Sequence, residues 1–409
     1  MAHLNFDVLS LTFIEVLRTS SSLLTLRSVN RAWYEVTERT PRLWTSLVLN
    51  RKSHFTDLEY AKFYLDKSGA LPIDVHIALP DDVDMSEIGD VTALLRSQSL
   101  RFRSFGLHVR IHDELEAFIS SIAQGRPAPL LEHLELRVRS RTPSDTALDF
   151  ISLPTAFTPA PRLAHIEIPG WPLPKSFPQL STITSFTIDG VSSNPTATHK
   201  VISFLRSTPS LQHFVYKGYD DYPCINSNFP HSEVHFPDLL TIDVTAPGSG
   251  AHLLCLINAP ALTDARFDGF HTDNSLAAIV LSKRSINLQR LTLEHTEFQG
   301  PLLCDPLLYY QIIFNNSSYF FPQLEELLLI ATDITDEALR AAGERARGGS
   351  SLKKLELRDC ERVTGTGLLE FVCGRGSDFS LSLQGCKNLN MTQEDMVAIS
   401  AMVRVKGLH

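Results

Sequence analysis

A single phrase recurs along this chain of 409 residues: an apolar residue, two variable residues, then apolar-x-apolar. Clean copies are Leu131/Leu134/Leu136, Leu163/Ile166/Ile168, Ile183/Phe186/Ile188, Leu211/Phe214/Tyr216, Leu239/Ile242/Val244, Leu288/Leu291/Leu293, Leu324/Leu327/Leu329 and Leu352/Leu355/Leu357. Leu262/Ala265/Phe267 is weaker. Trp44/Leu47/Leu49, Pro72/Val75/Ile77 and Phe102/Phe105/Leu107 come earlier, and a last copy has Asp378 in the first slot before Leu381 and Leu383. The first slots run from 44 to 378 in twelve steps of about 28 residues, the self-similarity of a stacked repeat.

The phrase has a physical reading. Apolar-x-apolar is a short strand whose successive side chains point to opposite faces, so its two apolar residues point inward and their neighbours point out. The spacers carry helical patterning, as in His112 to Ile122 and His199 to Leu205, and Thr335 to Leu339 opens another helix with acidic residues in its first turn. Prolines (Pro161, Pro209, Pro237, Pro260, Pro322) punctuate the turns into the strands. One strand and one helix per unit predict an α/β fold, a horseshoe solenoid with a parallel sheet on its concave face. The spacing resembles that of leucine-rich repeats. The last third resembles their cysteine-containing subtype, through Leu355-Glu-Leu357-Arg-Asp-Cys360 and Leu381-Ser-Leu383-Gln-Gly-Cys386. Both cysteines are expected to be small wedges at the turn rather than reactive thiols.

The first 50 residues break the pattern. Leu4, Val8, Leu9, Phe13, Val16 and Leu17 open an apolar helix, Ser20 to Ser22 interrupt it, and Leu23, Leu24 and Leu26 follow. Then come Val29-Asn30-Arg31-Ala32-Trp33 and Pro41-Arg42-Leu43-Trp44. Two or three short helices of this size cannot bury a core alone, so they must pack on the repeats, on a partner, or on both. Residues 1 to about 48 resemble an F-box, matching at Leu4, Val8, Leu9, Leu23, Leu26, Val29, Arg31, Trp33, Pro41, Leu43 and Trp44. They depart from it at Asn5, where Pro is usual, and at Asp7, where Glu is usual. The resemblance implies an F-box over 1–48 and a leucine-rich-repeat domain over 49–409. It also implies a substrate-recognition subunit of a cullin–RING ubiquitin ligase. Leu4, Val8, Leu9, Phe13, Leu23, Leu26, Val29 and Trp33 would then contact a Skp-type adaptor and, through it, a cullin, while the repeats take an unknown protein substrate. The alternative is a ligase-independent scaffold in which these helices only cap the first repeat. Exposure of Leu9, Phe13, Leu26 and Trp33 would favour the adaptor surface, and burial the cap.

Composition closes other routes. Lys plus Arg total 37 against 46 Asp plus Glu, a net charge of −9, so the broad basic footprint of a nucleic-acid binder is missing. Six cysteines without a C-x-x-C pair fit reduced thiols, hence a cytoplasmic or nuclear protein. No membrane span or basic signal segment is expected: the apolar stretch Leu302 to Phe314 is interrupted by Asp305. The sequons at Asn315, Asn316 and Asn390 read as chance matches.

No nucleotide-binding, zinc-protease or serine-hydrolase motif occurs, and no enzyme activity, cofactor or metal site is expected. Ser351-Leu-Lys-Lys354 begins a repeat strand and lacks companion motifs. His108 and His112 are four apart but fall on a strand and a helix start. The working surface is expected on the residues that flank the strand leucines. Acids there (Glu135, Glu167, Asp189, Asp243, Asp264, Asp268, Glu294, Glu326, Glu356) outnumber bases (Arg137, Lys217, Arg266, Arg290, Lys354, Arg358). That balance favours a partner of basic character, against the alternative of a mixed solvated face. Leu328 and Ile330 are apolar where polar residues are expected, so they join Arg290, Glu326, Lys354, Glu356 and Arg358 as the candidate substrate-binding set. Two loops, one rich in aromatics between Tyr309 and Phe321 and one spanning Tyr219 to Phe229, are further candidates.

Overall fold

The computed structural model describes residues 6–18, 23–50, 58–80, 88–139, 156–169, 181–191, 201–218, 233–245, 253–254, 256–270, 285–296, 321–340, 351–373 and 378–406. Contacts divide the chain into two compact units, 1–182 and 183–409.

The first unit opens with three helices, α1 (Phe6–Arg18), α2 (Leu23–Ser28) and α3 (Arg31–Arg39), then a 3-10 turn at Pro41–Trp44. Five parallel strands follow in chain order: β1 (Ser46–Leu49), β2 (Ile73–Ala78), β3 (Phe102–Val109), β4 (His133–Val138) and β5 (His165–Pro169). The helices Leu58–Ser68, Gly89–Ser97 and His112–Ile122 connect them, the last where the sequence pattern places it.

The second unit continues the same arrangement with β6 (Ser185–Val191), β7 (His213–Gly218), β9 (Thr241–Thr245), β11 (Asp264–Asp268), β12 (Arg290–Glu294), β13 (Glu326–Ile330), β14 (Lys354–Arg358), β15 (Ser380–Gln384) and β16 (Arg404–Lys406). The short strands β8 (Val234–His235) and β10 (Ile257–Asn258) form a separate parallel pair. Residues 201–205 and 336–340 are helical, as are Gly365–Val372 and Gln393–Met402.

Register follows the repeat phrase. Leu291, Leu327, Leu355 and Leu381 align across β12 to β15, and Leu293, Leu329, Leu357 and Leu383 align two residues on. All eight are buried, so each unit stacks leucine on leucine where the phrase predicts the interior. Two slots are filled differently. Asp378 is exposed and Phe379 beside it is buried, because the interior takes the phenyl ring instead of a carboxylate. Pro72 is half-buried and Ile73 takes the interior place. Strand β16 has no phrase of its own; it pairs along β15 by backbone register.

The turn into each strand is built alike. The N–H of Leu131, Leu163, Leu211, Leu262 and Leu324 donates to the carbonyl three residues back, at 3.1–3.2 Å. Pro129, Pro161, Pro209, Pro260 and Pro322 hold the second position of these turns, where a fixed φ suits the geometry. In the second unit, the residue just past the strand adopts positive φ at Gly269, His295, Ala331, Asp359 and Gly385. The N–H groups of the first four donate to the next strand, to the carbonyls of Glu294, Ile330, Arg358 and Gln384, at 2.8–2.9 Å.

Cys360 is fully buried, and its Sγ lies 3.5 Å from the Leu329 carbonyl of the preceding unit. Cys386 makes the same contact with the Leu357 carbonyl at 3.7 Å but is only half-buried. Among the described residues, no helix is long and apolar enough to cross a membrane.

Candidate functional site

The N-terminal helices hold a small core of their own. Asn30 starts α3 by accepting a hydrogen bond from the Trp33 N–H at 2.9 Å, a capping arrangement that fixes where the Val-Asn-Arg-Ala-Trp segment turns helical. Trp33 then lies against Phe13 with ring centroids 4.8 Å apart. Ser10 on α1 shares a hydrogen bond with Thr40 at 2.8 Å. Phe13, Leu23, Leu26 and Val36 are buried, and Leu9 and Trp33 are half-buried.

The segment also packs on the first repeat. Trp44 is 1% exposed and meets Phe63 and Tyr64 of the helix Leu58–Ser68, each at 5.0 Å between centroids. Glu38 pairs with Arg27 at 3.1 Å and with Lys67 of that helix. The Arg27 guanidinium lies over the rings of Tyr34 and Phe63.

The eight residues expected at an adaptor surface therefore separate. Phe13, Leu23 and Leu26 are spent on the internal core, Leu9 and Trp33 are partly spent, and Val8 and Val29 face solvent at 48% and 54% exposure. Leu4 lies outside the described residues. Two further apolar side chains face solvent, Leu11 at 65% and Leu24 at 38%. Their signal was in the sequence: Leu11 stands three residues past Val8, on the same side of the α1 helix.

In the second unit, the candidate substrate-binding residues lie side by side on the face opposite the buried leucines. Arg290 pairs with Asp264 at 2.6 Å and Glu326 at 3.2 Å; Lys354 pairs with Glu326 at 3.7 Å and Glu356 at 3.2 Å. Arg358 donates to Glu356 at 2.6 Å. Arg266 joins Asp243 and Glu294 one strand earlier. Burial opposes ionisation of Glu356, but hydrogen bonds from Arg358 and Lys354 outweigh it and hold the carboxyl below the usual range. These cations and carboxylates satisfy one another, so the excess of acids listed by sequence does not leave a bare acidic face. Leu328 lies between Thr292 and Glu356, and Ile330 between Glu294 and Arg358. Both are half-buried inside this frame of ion pairs. The loop candidates at Tyr219–Phe229 and Tyr309–Phe320 lie outside the described residues, and Phe321 is a buried core residue.

A third cluster lies on strands β2 to β4. His76, Gly106 and Glu135 are register partners on three consecutive strands, and His108 stands two residues beyond Gly106. His108 Nε2 is 2.7 Å from Glu135 Oε1, and the rings of His76 and His108 meet edge to face with centroids 4.5 Å apart. The hydrogen bond from His108 holds the Glu135 carboxyl below its ordinary range. Burial, then the neighbouring His108, pull the His76 imidazole below its ordinary value. His112 is not part of the cluster. The pairing of His76 with Glu135 is visible in sequence only when the repeat slots are aligned, since both stand four residues past their slot.

No protein-family model matches the chain, and no curated protein matches it. Among solved structures, a protein from Bacteroides fragilis is similar over 64% of this chain and 68% of its own, with 13% sequence identity and a TM-score of 0.33. Likeness at that level carries no argument about function.

Proposed function

We propose that this chain is the substrate-recruiting subunit of a cullin–RING ubiquitin ligase, an F-box joined to leucine-rich repeats. One observation carries the reading. The helices α1 to α3 close a core around Phe13, Leu26 and Trp33, yet leave Val8, Leu11, Leu24 and Val29 facing solvent. A helical module with a private core and outward apolar side chains is suited to binding a partner. In this reading the repeats present the sheet face to the substrate, and the ligase, not this chain, supplies the catalytic groups.

Calorimetry of the full chain with a purified Skp-type adaptor tests it. A one-to-one complex is expected, and the double change Val8→Glu with Leu11→Glu is expected to weaken it by at least about 2 kcal/mol, the loss typical of interface anchors. Absence of binding by a folded chain counts against the proposal.

A second reading has its own support. Trp44, Glu38 and Arg27 fasten the helices to the first repeat, as an end cap of a scaffold protein would be fastened. Under that reading the same double change leaves every partner's affinity unaltered.

A further inference from the structure

The cluster on β2 to β4 has the chemistry of a metal site. His76, His108 and Glu135 each offer one ligand atom, and these atoms all lie within 4.8 Å of one another. Three ligand atoms at about 2.0–2.1 Å from one zinc ion in tetrahedral geometry stand about 3.4 Å apart, so modest rotamer adjustment closes the set. Gly106 makes the space. A β-carbon there would lie 2.7 Å from His76 Nδ1 and 3.7 Å from Glu135 Oε2, so the missing side chain opens a gap bordered by these two atoms. Every other side chain at that register position would fill it.

The protonation states fit. His76 is held toward the neutral imidazole and Glu135 toward the carboxylate, the forms that ligate. Glu135 has an outer partner in Arg137 at 2.8 Å, and Glu167 pairs with Arg137 at 2.5 Å, offsetting the positive charge nearest the gap. Outer contacts of this kind orient ligating carboxylates. His108 and Glu135 retain 20% and 33% side-chain exposure, so a cation can enter from solvent and keep one position for water.

We propose that His76, His108 and Glu135, arranged around the space above Gly106, bind one divalent transition-metal cation of the zinc class. Two imidazoles and one carboxylate favour zinc over magnesium or calcium, which prefer all-oxygen sets. The other group of this kind among the described residues, Asp268, Glu294 and His295, differs. Its histidine is 59% exposed, and Glu294 is already held by Arg266. The proposal is independent of the ligase reading.

The test uses the full chain, stripped with a chelator and titrated with zinc in a calorimeter, with cobalt as the spectroscopic probe. One equivalent of zinc is expected, with visible cobalt bands of tetrahedral type and no comparable uptake of magnesium. Losing an outer partner of a metal ligand costs about 10–100-fold in affinity, so His76→Gln and His108→Ala should each cost at least about 100-fold. Gly106→Ala should block uptake while leaving all three ligands in place. His295→Ala should change nothing. A stripped, folded chain that takes up no zinc overturns the proposal, as does uptake that persists in the combined His76→Gln/His108→Ala variant. Glu135→Gln is the check if a histidine variant fails to fold: it keeps the shape, and undiminished zinc affinity in it also overturns the assignment.

Discussion

The indole N–H of Trp44 donates to the main-chain carbonyl of Thr37 at 2.8 Å, within the buried space between α3 and the first repeat. Trp44 closes the N-terminal segment and fills the first repeat slot, so one side chain joins the two. Replacing it by Ala removes a buried aromatic and should destabilise the first unit by about 3–5 kcal/mol. Trp44→Phe keeps most of the packing but strands the Thr37 carbonyl, at a cost of about 1–3 kcal/mol. Urea unfolding followed by circular dichroism reads both. Equal stability of the two variants would show that the hydrogen bond contributes nothing.

Asp336 reaches from one repeat to the helix start of the next. Its carboxylate accepts from the Thr364 N–H at 2.8 Å and from the Thr364 hydroxyl at 2.6 Å. A β-carbon on Gly367 would stand 2.1 Å from Asp336 Oδ1, so this glycine is required by the carboxylate. Gly367→Ala should therefore displace the cap. Asp336→Ala should lose about 1 kcal/mol, the usual worth of a capping side chain. The two changes share one mechanism, so the double variant should cost less than the two single losses together. Additive losses in denaturant titrations would contradict this.

Ala331 and Gly385 occupy equivalent positions past their strands, both with positive φ. Ala331→Gly removes backbone strain and is expected to be neutral or to raise stability by up to about 1 kcal/mol. Gly385→Ala introduces that strain and also places a β-carbon 2.0 Å from Asp359 Oδ1. It should destabilise the C-terminal repeats, and the opposite signs of the two changes can be read from thermal midpoints.

The pH response follows from His76. Its folded pKa lies below the ordinary 6.5, through burial and the neighbouring His108, with Glu135 opposing and Arg137 assisting. As pH falls through that region, the unfolded chain takes up the proton first, so stability declines. Glu135 has a depressed pKa, so its contribution is present above its unfolded value and is lost as pH falls further, through its folded value. The acid losses thus come in two windows, histidine first. His76→Gln should flatten the upper one when urea midpoints at about pH 7.5 and about pH 5.5 are compared. An unchanged slope would assign that window to another group, His112 being the next, since burial lowers it too.

The strand positions were legible because burial on one sheet face enforces a two-residue alternation, and Leu355 or Leu381 can lie nowhere else. The helix at His112–Ile122 was legible for the matching reason, a stripe at helical spacing. Position 378 misled because the phrase was counted by spacing, whereas the interior selects the apolar Phe379 one residue on. Strand β16 left no mark, since an edge strand needs only backbone pairing to its neighbour. At the candidate surfaces, residue type was legible and partnership was not. Phe13 and Val8 are both apolar residues of one helix, yet one is enclosed by Trp33 and the other faces water. Arg290 and Glu326 are 36 residues apart, and only the strand register makes them a pair.

The register also separates two pairs of residues on β13. Leu327 and Leu329 point into the core at 1% exposure, while Leu328 and Ile330 lie between them in sequence and are half-buried on the opposite face. Leu327→Ser or Leu329→Ser should cost several kcal/mol, because each buries a hydroxyl where a methyl-bearing chain was packed. Leu328→Ser with Ile330→Ser should cost far less, since both sites can be reached by water. Around them Arg290, Glu326, Lys354, Glu356 and Arg358 are already paired, so an incoming chain gains little from attracting any one charge. The apolar pair is then the part of this face that gains most by being covered, with the ion pairs as its polar rim. The double serine variant is expected to fold, to keep adaptor binding, and to lose the partner captured by the repeats. Denaturant midpoints and quantitative pull-downs with the proteasome blocked measure the two effects. A variant that unfolds shows that the pair belongs to the core. One that folds and retains every partner moves the binding surface off β13.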